Sequence, residues 1–89
     1  MAHYLLFYDY VEDILEQRGP HREAHLALIR RWKEEGRILM AGAVGDPPHG
    51  AAIAFRVDDS DAIGEFVAAD PYVRAGLVPA HRVERWAVV

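Results

Sequence analysis

The sequence predicts an α+β protein, a ferredoxin-like βαββαβ sandwich in which two helices cover one face of a four-stranded antiparallel sheet. Four short segments are rich in apolar and branched residues, as strands are, and two longer segments carry apolar residues at helical spacing. The chain has 89 residues, of which 52% are hydrophobic. That length and composition predict one domain over residues 1–89, with enough apolar side chains for a real core.

The first half of the chain predicts a strand, a helix and a second strand. Residues 3–9 are aromatic and branched, which is typical of a strand. Gly19-Pro20 predicts the start of the helix, because proline is favoured in a first turn, and Gly36 predicts its end. Residues 37–45 then predict the second strand. Within the helix, one stripe follows the i, i+3, i+4, i+7 spacing: His25, Leu28, Ile29 and Trp32.

The second half predicts a hairpin, a helix and a last strand. Residues 46–50 include two prolines and predict a loop, and residues 51–57 predict a third strand antiparallel to the second. Residues 58–60, Asp-Asp-Ser, supply an N-cap for the second helix, with Ser60 as the capping residue. An irregular segment is expected up to Pro79, followed by a strand over residues 81–89. The stripe of the second helix is Ile63, Phe66 and Val67.

Composition and charge exclude several classes of function. The net charge of −4, from 10 basic and 14 acidic residues, argues against a nucleic-acid partner. No cysteine is present, so neither a disulfide nor a catalytic thiolate is available. The longest apolar runs fall short of the roughly 18–20 residues needed to span a membrane, and the N-terminus does not resemble a signal peptide. We therefore expect a cytoplasmic protein with no membrane partner.

The sheet face away from the helices is predicted to be apolar as well. The first and third strands carry apolar residues at both alternating sets of positions, so their second face also needs a cover. A second copy packed sheet to sheet is the simplest cover. The sequence thus predicts a homodimer with isologous contacts, a dimeric α+β barrel.

Two residues distant in the sequence form the candidate catalytic pair. His25 lies on the apolar stripe of the first helix, and Asp70 follows the second helix, just before Pro71. If Asp70 accepts a hydrogen bond from one nitrogen of His25, the other nitrogen is free to move a proton. The alternatives remain a structural histidine with one hydrogen bond and an aspartate that merely opens a turn.

Other polar residues are candidates for substrate binding. Arg22 lies one helical turn before His25 and would hold an anion, unless it extends over the start of the helix or pairs with Glu12 or Glu23. The hydroxyls of Tyr8 and Tyr72 would reach a pocket, unless these rings simply pack. No metal site is expected, because the remaining histidines lack ligand spacing: His3, His21, His49 and His81.

These motifs together resemble the YciI-like (YCII-related) proteins. The shared pieces are Arg22-x-x-His25-Leu26, the Gly-Arg-Ile-Leu-Met-Ala-Gly segment over 36–42, Asp70-Pro71-Tyr72, and a closing strand with Trp86. The resemblance runs over nearly the whole chain. It implies a ferredoxin-like fold and a dimer of the dimeric α/β-barrel group. It also implies an active site built on His25 and Asp70, with Arg22 as a neighbour and Gly42 in the pocket wall. Ala43 departs from the pattern, since the family usually has proline after this glycine.

The resemblance also suggests a function. A few relatives resemble enzymes that remove chloride from a hydroxylated aromatic ring. We therefore expect a small cofactor-free lyase, dehydrochlorinase-like enzyme or isomerase acting on a small hydroxylated aromatic or enol-type substrate. The alternative is a non-catalytic module that binds a small metabolite or regulates through the same cleft. A monooxygenase of the same superfamily is disfavoured, because the sequence lacks the aromatic and polar site expected of one.

Overall fold

A computed structural model describes residues 1–89 and shows four strands and four helices. The strands are β1 (Ala2–Asp9), β2 (Ile38–Val44), β3 (Gly50–Val57) and β4 (Ala80–Arg85). The helices are α1 (Ile14–Gln17), α2 (Gly19–Glu34), α3 (Asp61–Ala69) and α4 (Pro71–Arg74). The strand order is β2-β3-β1-β4, and all neighbouring strands are antiparallel. The predicted ferredoxin-like α+β sandwich is confirmed.

Helix α2 follows directly from the signals at its two ends. Pro20 lies in its first turn, where a missing backbone N–H costs nothing. After the helix, Gly36 has a φ of 77°, a left-handed conformation that side-chain-bearing residues rarely adopt. The buried side chains of α2 are His25, Leu28 and Trp32, so the predicted stripe does face the sheet. The same stripe that packs the helix therefore carries the histidine inward.

An aromatic cluster fixes the two long helices against the sheet. Trp32 of α2, Phe55 of β3 and Phe66 of α3 meet edge to face, with ring centroids 5.2 to 5.9 Å apart. Phe55 and Phe66 are completely buried. Edge-to-face pairs of this kind add about 0.5–1.5 kcal/mol each beyond the area that they bury. The cluster thus sets how α2 lies relative to α3, and hence relative to the residue that ends α3.

Two short helices occupy segments for which the sequence predicted none. Helix α1 lies in the polar stretch after β1, with Ile14 turned into the core. Helix α4 replaces the irregular segment expected after Pro71, because the Asp70 carboxylate caps it and proline at its first position suits a helix start. The cap at Asp70 therefore favours a short helix, α4, that the composition of the segment does not predict.

Two further expectations were wrong in detail. The last strand ends at Arg85 instead of continuing to residue 89. The reason is its partner: β1 begins at Ala2, so beyond the bond from the Trp86 N–H to the His3 carbonyl there is almost no strand left to pair with. At the start of α3, the Ser60 hydroxyl makes no capping bond, and the Asp59 side chain accepts from the Asp61 N–H at 2.8 Å instead.

The sheet face away from the helices, called the outer face below, carries apolar side chains without cover. Met40 and Trp86 expose 66% and 39% of their surface, and Val44 is exposed beside them. Single exposed apolar residues are ordinary, but a contiguous patch marks a contact surface. The outer face comprises Leu5, Phe7, Met40, Val44, Ala52, Ala54 and Trp86. None of the helices is both long enough and apolar enough to cross a bilayer.

Candidate active site

The centre of the candidate site is the carboxylate of Asp70, which has no exposed surface at all. Its Oδ1 accepts hydrogen bonds from His25 Nδ1 at 2.8 Å and from the Tyr72 backbone N–H at 3.0 Å. Its Oδ2 accepts from the Tyr8 hydroxyl at 2.7 Å. Burying a carboxylate is costly unless donors replace its water, and three donors do so here.

The local sequence explains why Asp70 is available for this role. Pro71 disfavours helical backbone in the residue before it, and Asp70 accordingly leaves α3 with φ −70° and ψ 120°. That change of direction turns the carboxylate back onto the first turn of α4 and toward α2. Asp70 therefore both opens a turn and accepts a hydrogen bond from His25, so the two interpretations of this residue are compatible.

His25 is held in a single orientation. It is only 5% exposed, and the ring of Tyr72 stacks on it with centroids 3.8 Å apart and planes 4° from parallel. A carboxylate accepts but cannot donate, so Nδ1 must carry the proton in the bond to Asp70. Nε2 makes no hydrogen bond within the chain, yet no buried side-chain polar atom lacks a partner, so Nε2 reaches solvent. The arrangement leaves a lone pair on an accessible nitrogen.

A cleft of about 220 Å³ is lined in part by His25. Its polar side chains are Tyr10, Arg18, Arg22, His25 and Tyr72. Strands β2 and β3 contribute small or aliphatic residues: Ala41, Gly42, Ala43, Ala51 and Ile53. A small recess with a few convergent polar groups is the usual form of a binding site for a small molecule.

The structure brings most of the predicted site residues together. His25 and Asp70 are in direct contact, and Arg22, Gly42 and Tyr72 line the cleft. Tyr8 is the exception: we expected it to contact substrate, but it is buried and does not line the cleft. Its hydroxyl is directed to the far oxygen of Asp70 because β1 passes directly behind that carboxylate.

Two polar residues of the cleft, Tyr10 and Arg18, were not predicted from the sequence. Arg18 lies one turn before Arg22, at the N-cap of α2, a spacing that would have placed both guanidinium groups on one side of the helix. Tyr10 directly follows β1, where the chain leaves the sheet. Arg22 itself pairs with neither Glu12 nor Glu23, so its charge is not neutralised by either expected partner.

The tyrosine hydroxyls around the site are held in their protonated form. Burial, with help from Tyr72 and Asp70, raises the pKa of Tyr10 to about 12, although Arg18 and Arg22 oppose the shift. Burial also raises the pKa of Tyr72. The pKa of Tyr8 is raised well above its ordinary value, first by burial and then by the adjacent Asp70 charge. These hydroxyls therefore remain donors at neutral pH.

No group of three or more His, Cys, Asp or Glu side chains is placed to hold a metal ion. The site consists of one imidazole, one carboxylate, tyrosine hydroxyls and two guanidinium groups. Such a set can move protons and stabilise negative charge.

Tyr8→Phe should destabilise the protein by about 1–3 kcal/mol, because it leaves a buried carboxylate oxygen without its donor. Tyr4→Phe is the matched control, since Tyr4 lies on the same face of β1 and its hydroxyl makes no hydrogen bond within the chain. Urea unfolding of the two variants and the native protein measures the difference. Equal losses in both variants would contradict a specific role for the Tyr8 hydroxyl.

The site tyrosines should make the protein less stable as the solution becomes alkaline. In the unfolded chain Tyr10 ionises near 10.0, whereas in the folded protein its pKa is about 12. The unfolded state therefore loses its proton first, and stability should fall as pH rises from about 10 toward 12. Tyrosinate absorbance of the folded protein, followed with a pH series of urea unfolding, measures both effects. Tyr10→Phe should flatten the decline, and an unchanged slope would refute the assignment.

Comparison with known proteins shows which family this chain belongs to. The model of the YCII-related domain matches residues 2–87. An uncharacterized protein of Haemophilus influenzae is 32% identical over 84 residues, covering 84% of this chain and 86% of its own. The protein YciI of Escherichia coli is 35% identical over 83 residues, covering 83% and 85%.

A solved structure shares the fold over almost its whole length. It is the 5-chloro-2-hydroxyhydroquinone dehydrochlorinase TftG of Burkholderia phenoliruptrix, in complex with 2,5-dihydroxybenzoquinone. The two chains superpose with a TM-score of 0.81 at 27% identity, covering 96% of this chain and 93% of the other. Taken with the match over residues 2–87, these likenesses show that the chain belongs to the YCII-related, or YciI-like, family.

Proposed function

We propose that this protein is a small enzyme that needs no cofactor and moves a proton on a hydroxylated aromatic or enol-type substrate. The observation that carries the proposal is the buried contact between His25 and Asp70, which leaves Nε2 open beside a small cleft. The similarity to a dehydrochlorinase supports a reaction of the lyase or isomerase type.

In this proposal His25 is the acid–base residue. Its Nε2 takes a proton from a ring hydroxyl, and the resulting imidazolium is stabilised by the carboxylate 2.8 Å from Nδ1. Asp70 does not accept that proton; it holds the ring in one tautomer and offsets its charge. Tyr72, stacked on the imidazole, prevents the ring from turning away.

The same base serves a reaction that eliminates HCl from a chlorinated hydroxyhydroquinone. A proton moves from a ring hydroxyl to the carbon that bears chlorine, which gives a keto tautomer. Loss of a proton from a second hydroxyl then expels chloride with its bonding electron pair and leaves a quinone. No outside oxidant is required, because the carbon–chlorine bond supplies the leaving electron pair. In the first step Nε2 of His25 would take the proton from the ring hydroxyl and deliver it to the carbon that bears chlorine, and in the second step it would take the proton of the other hydroxyl, which then passes to solvent.

The cleft suits a substrate of this size. Its volume of about 220 Å³ accommodates a single substituted ring, and Ala41, Gly42 and Ala43 present no large side chain to obstruct one. Arg22 lines the same cleft and would stabilise a developing oxyanion. The Tyr72 hydroxyl, protonated at neutral pH, is a further donor for a substrate oxygen.

His25→Ala should lower turnover by about 100- to 10,000-fold, the usual contribution of a general acid–base group. Chloride release from 5-chloro-2-hydroxyhydroquinone is the first assay, followed by a panel of hydroxylated aromatics and small keto acids. His21→Ala is the control, because His21 lies on the same helix outside the cleft. A native rate in His25→Ala would refute the mechanism, and a substrate that binds without turnover would favour the metabolite-binding alternative.

Asp70→Asn separates the charge of this residue from its hydrogen bonds. The amide oxygen can accept from Tyr72 N–H and His25 Nδ1, while the amide nitrogen faces Tyr8, whose hydroxyl can rotate to accept. The reverse orientation would set an amide N–H against the Tyr72 N–H. We therefore expect turnover to fall while nitrogen NMR still shows the proton of His25 on Nδ1.

We further propose that two copies pair through the outer face. The face is apolar, and at its margin Arg82 stacks on Phe7 and pairs with Glu84, so opposite charges are available for self-complementary contacts. An 89-residue chain buries a modest fraction of its surface alone, and pairing would cover the exposed Met40 and Trp86.

Sedimentation should give about 20 kDa, twice the chain mass of 10.0 kDa. Met40→Lys should shift the protein toward the monomer, because it replaces the most exposed of these apolar side chains with a charge. Leu15→Lys is the control, since Leu15 is half exposed but belongs to α1, outside this face. A native chain that sediments as a 10.0 kDa monomer at micromolar concentration would contradict the dimer.

A further inference from the structure

We propose that Arg18 and Arg22 form an anion-recognition pair, and that the cleft therefore holds a ring with two ionised oxygens more tightly than a neutral phenol. This inference rests on the proposed function, since it specifies that the same site favours the oxyanion forms that arise as His25 removes protons from the hydroxyls of the ring. Both residues line the cleft together with His25.

The two guanidinium groups have no protein partner. No carboxylate lies within ion-pair distance of either, although the chain contains 14 acidic residues against 10 basic ones. In a protein with a net charge of −4, this cleft is a local concentration of positive charge. Arginine forks bind two oxygens of an anion at once, which suits a planar oxyanion.

The position of the pair is unfavourable until an anion is present. Arg18 is the N-cap of α2 and Arg22 lies one turn later, so like charges stand four residues apart. Both also stand at the positive end of the helix dipole, and the first turn holds no acidic residue to balance them. An anion bound between them would offset the repulsion between the two guanidinium groups and their repulsion from the helix dipole. Part of its binding free energy would therefore come from relieving unfavourable interactions that exist before the anion binds.

The charges of the pair act inside the cleft. Both arginines lower the pKa of Tyr10 and of Tyr72, opposing the larger effect of burial. Their field therefore reaches Tyr10 and Tyr72, which line the cleft together with His25. A dianion placed there meets two cations and two protonated hydroxyls, whereas a neutral phenol uses only the hydroxyls.

The test compares the affinity of two rings of similar size by calorimetry. 2,5-Dihydroxybenzoquinone is a dianion at neutral pH, because each hydroxyl is conjugated to a carbonyl, and hydroquinone is neutral. We expect the native protein to bind the dianion at least about tenfold more tightly. Arg18→Gln and Arg22→Gln should each weaken dianion binding about tenfold and hydroquinone binding less than about twofold. Raising the salt concentration should reduce the difference in affinity between the dianion and hydroquinone, because salt screens the charges of the arginines.

Arg31→Gln is the matched control, because Arg31 is nine residues beyond Arg22 and so lies on the opposite side of α2. It should bind both rings as the native protein does. Equal affinity of the native protein for the two rings, no measurable dianion binding, or native dianion affinity in both glutamine variants would overturn the inference. Binding that follows the expected pattern without turnover of any ring would support the arginine pair and refute the proposed enzyme. Turnover that depends on His25 but not on either arginine would support the proposed enzyme and refute the arginine pair.

Discussion

Three parts of this fold are joined at one buried carboxylate. Asp70 accepts from Tyr8 on β1, from His25 on α2 and from the backbone at the start of α4. Burying the carboxylate without these donors would destabilise the folded state by several kcal/mol. The fold is therefore stable only when all three donors reach Asp70. The same requirement that fixes a strand and two helices also fixes the orientation of one imidazole. Stability and the candidate chemistry depend on the same contact, and neither can be altered there without affecting the other.

The aromatic cluster provides the complementary constraint. Trp32, Phe55 and Phe66 pack α2 and α3 onto the sheet through contacts between aromatic rings. This packing brings the end of α3 near the middle of α2, and the hydrogen bonds of Asp70 then require only small adjustments. The division is typical of functional sites, where an apolar core gives rigidity and polar groups give precise orientation. It also explains how a chain of 89 residues can hold a fully buried charge.

Local features of this fold could be predicted from the sequence better than contacts between residues that are far apart in the chain. The helical spacing placed His25 inward, Pro20 and Gly36 bounded α2, and the order of elements was evident from apolar patterning. By contrast, the bond from Tyr8 to Asp70 joins residues 62 apart and that from His25 joins residues 45 apart. Such contacts depend on strand register and on the angle at which α2 crosses the sheet, and no single segment specifies either. Tyr10 and Arg18 were missed because each lies at the margin of an element, where periodicity says least.

Strand β2 connects the two surfaces that function would use. Ala41 and Ala43 belong to the cleft, while Met40 and Val44, their neighbours along the same strand, belong to the outer face. β2 is an edge strand, bonded only to β3, and edge strands are the least restrained parts of a sheet. A subunit packed on the outer face would therefore restrain the strand that forms one side of the cleft. Ala43, where the family usually has proline, lies on this strand, so its effect on the cleft would depend on how firmly β2 is held from the other face.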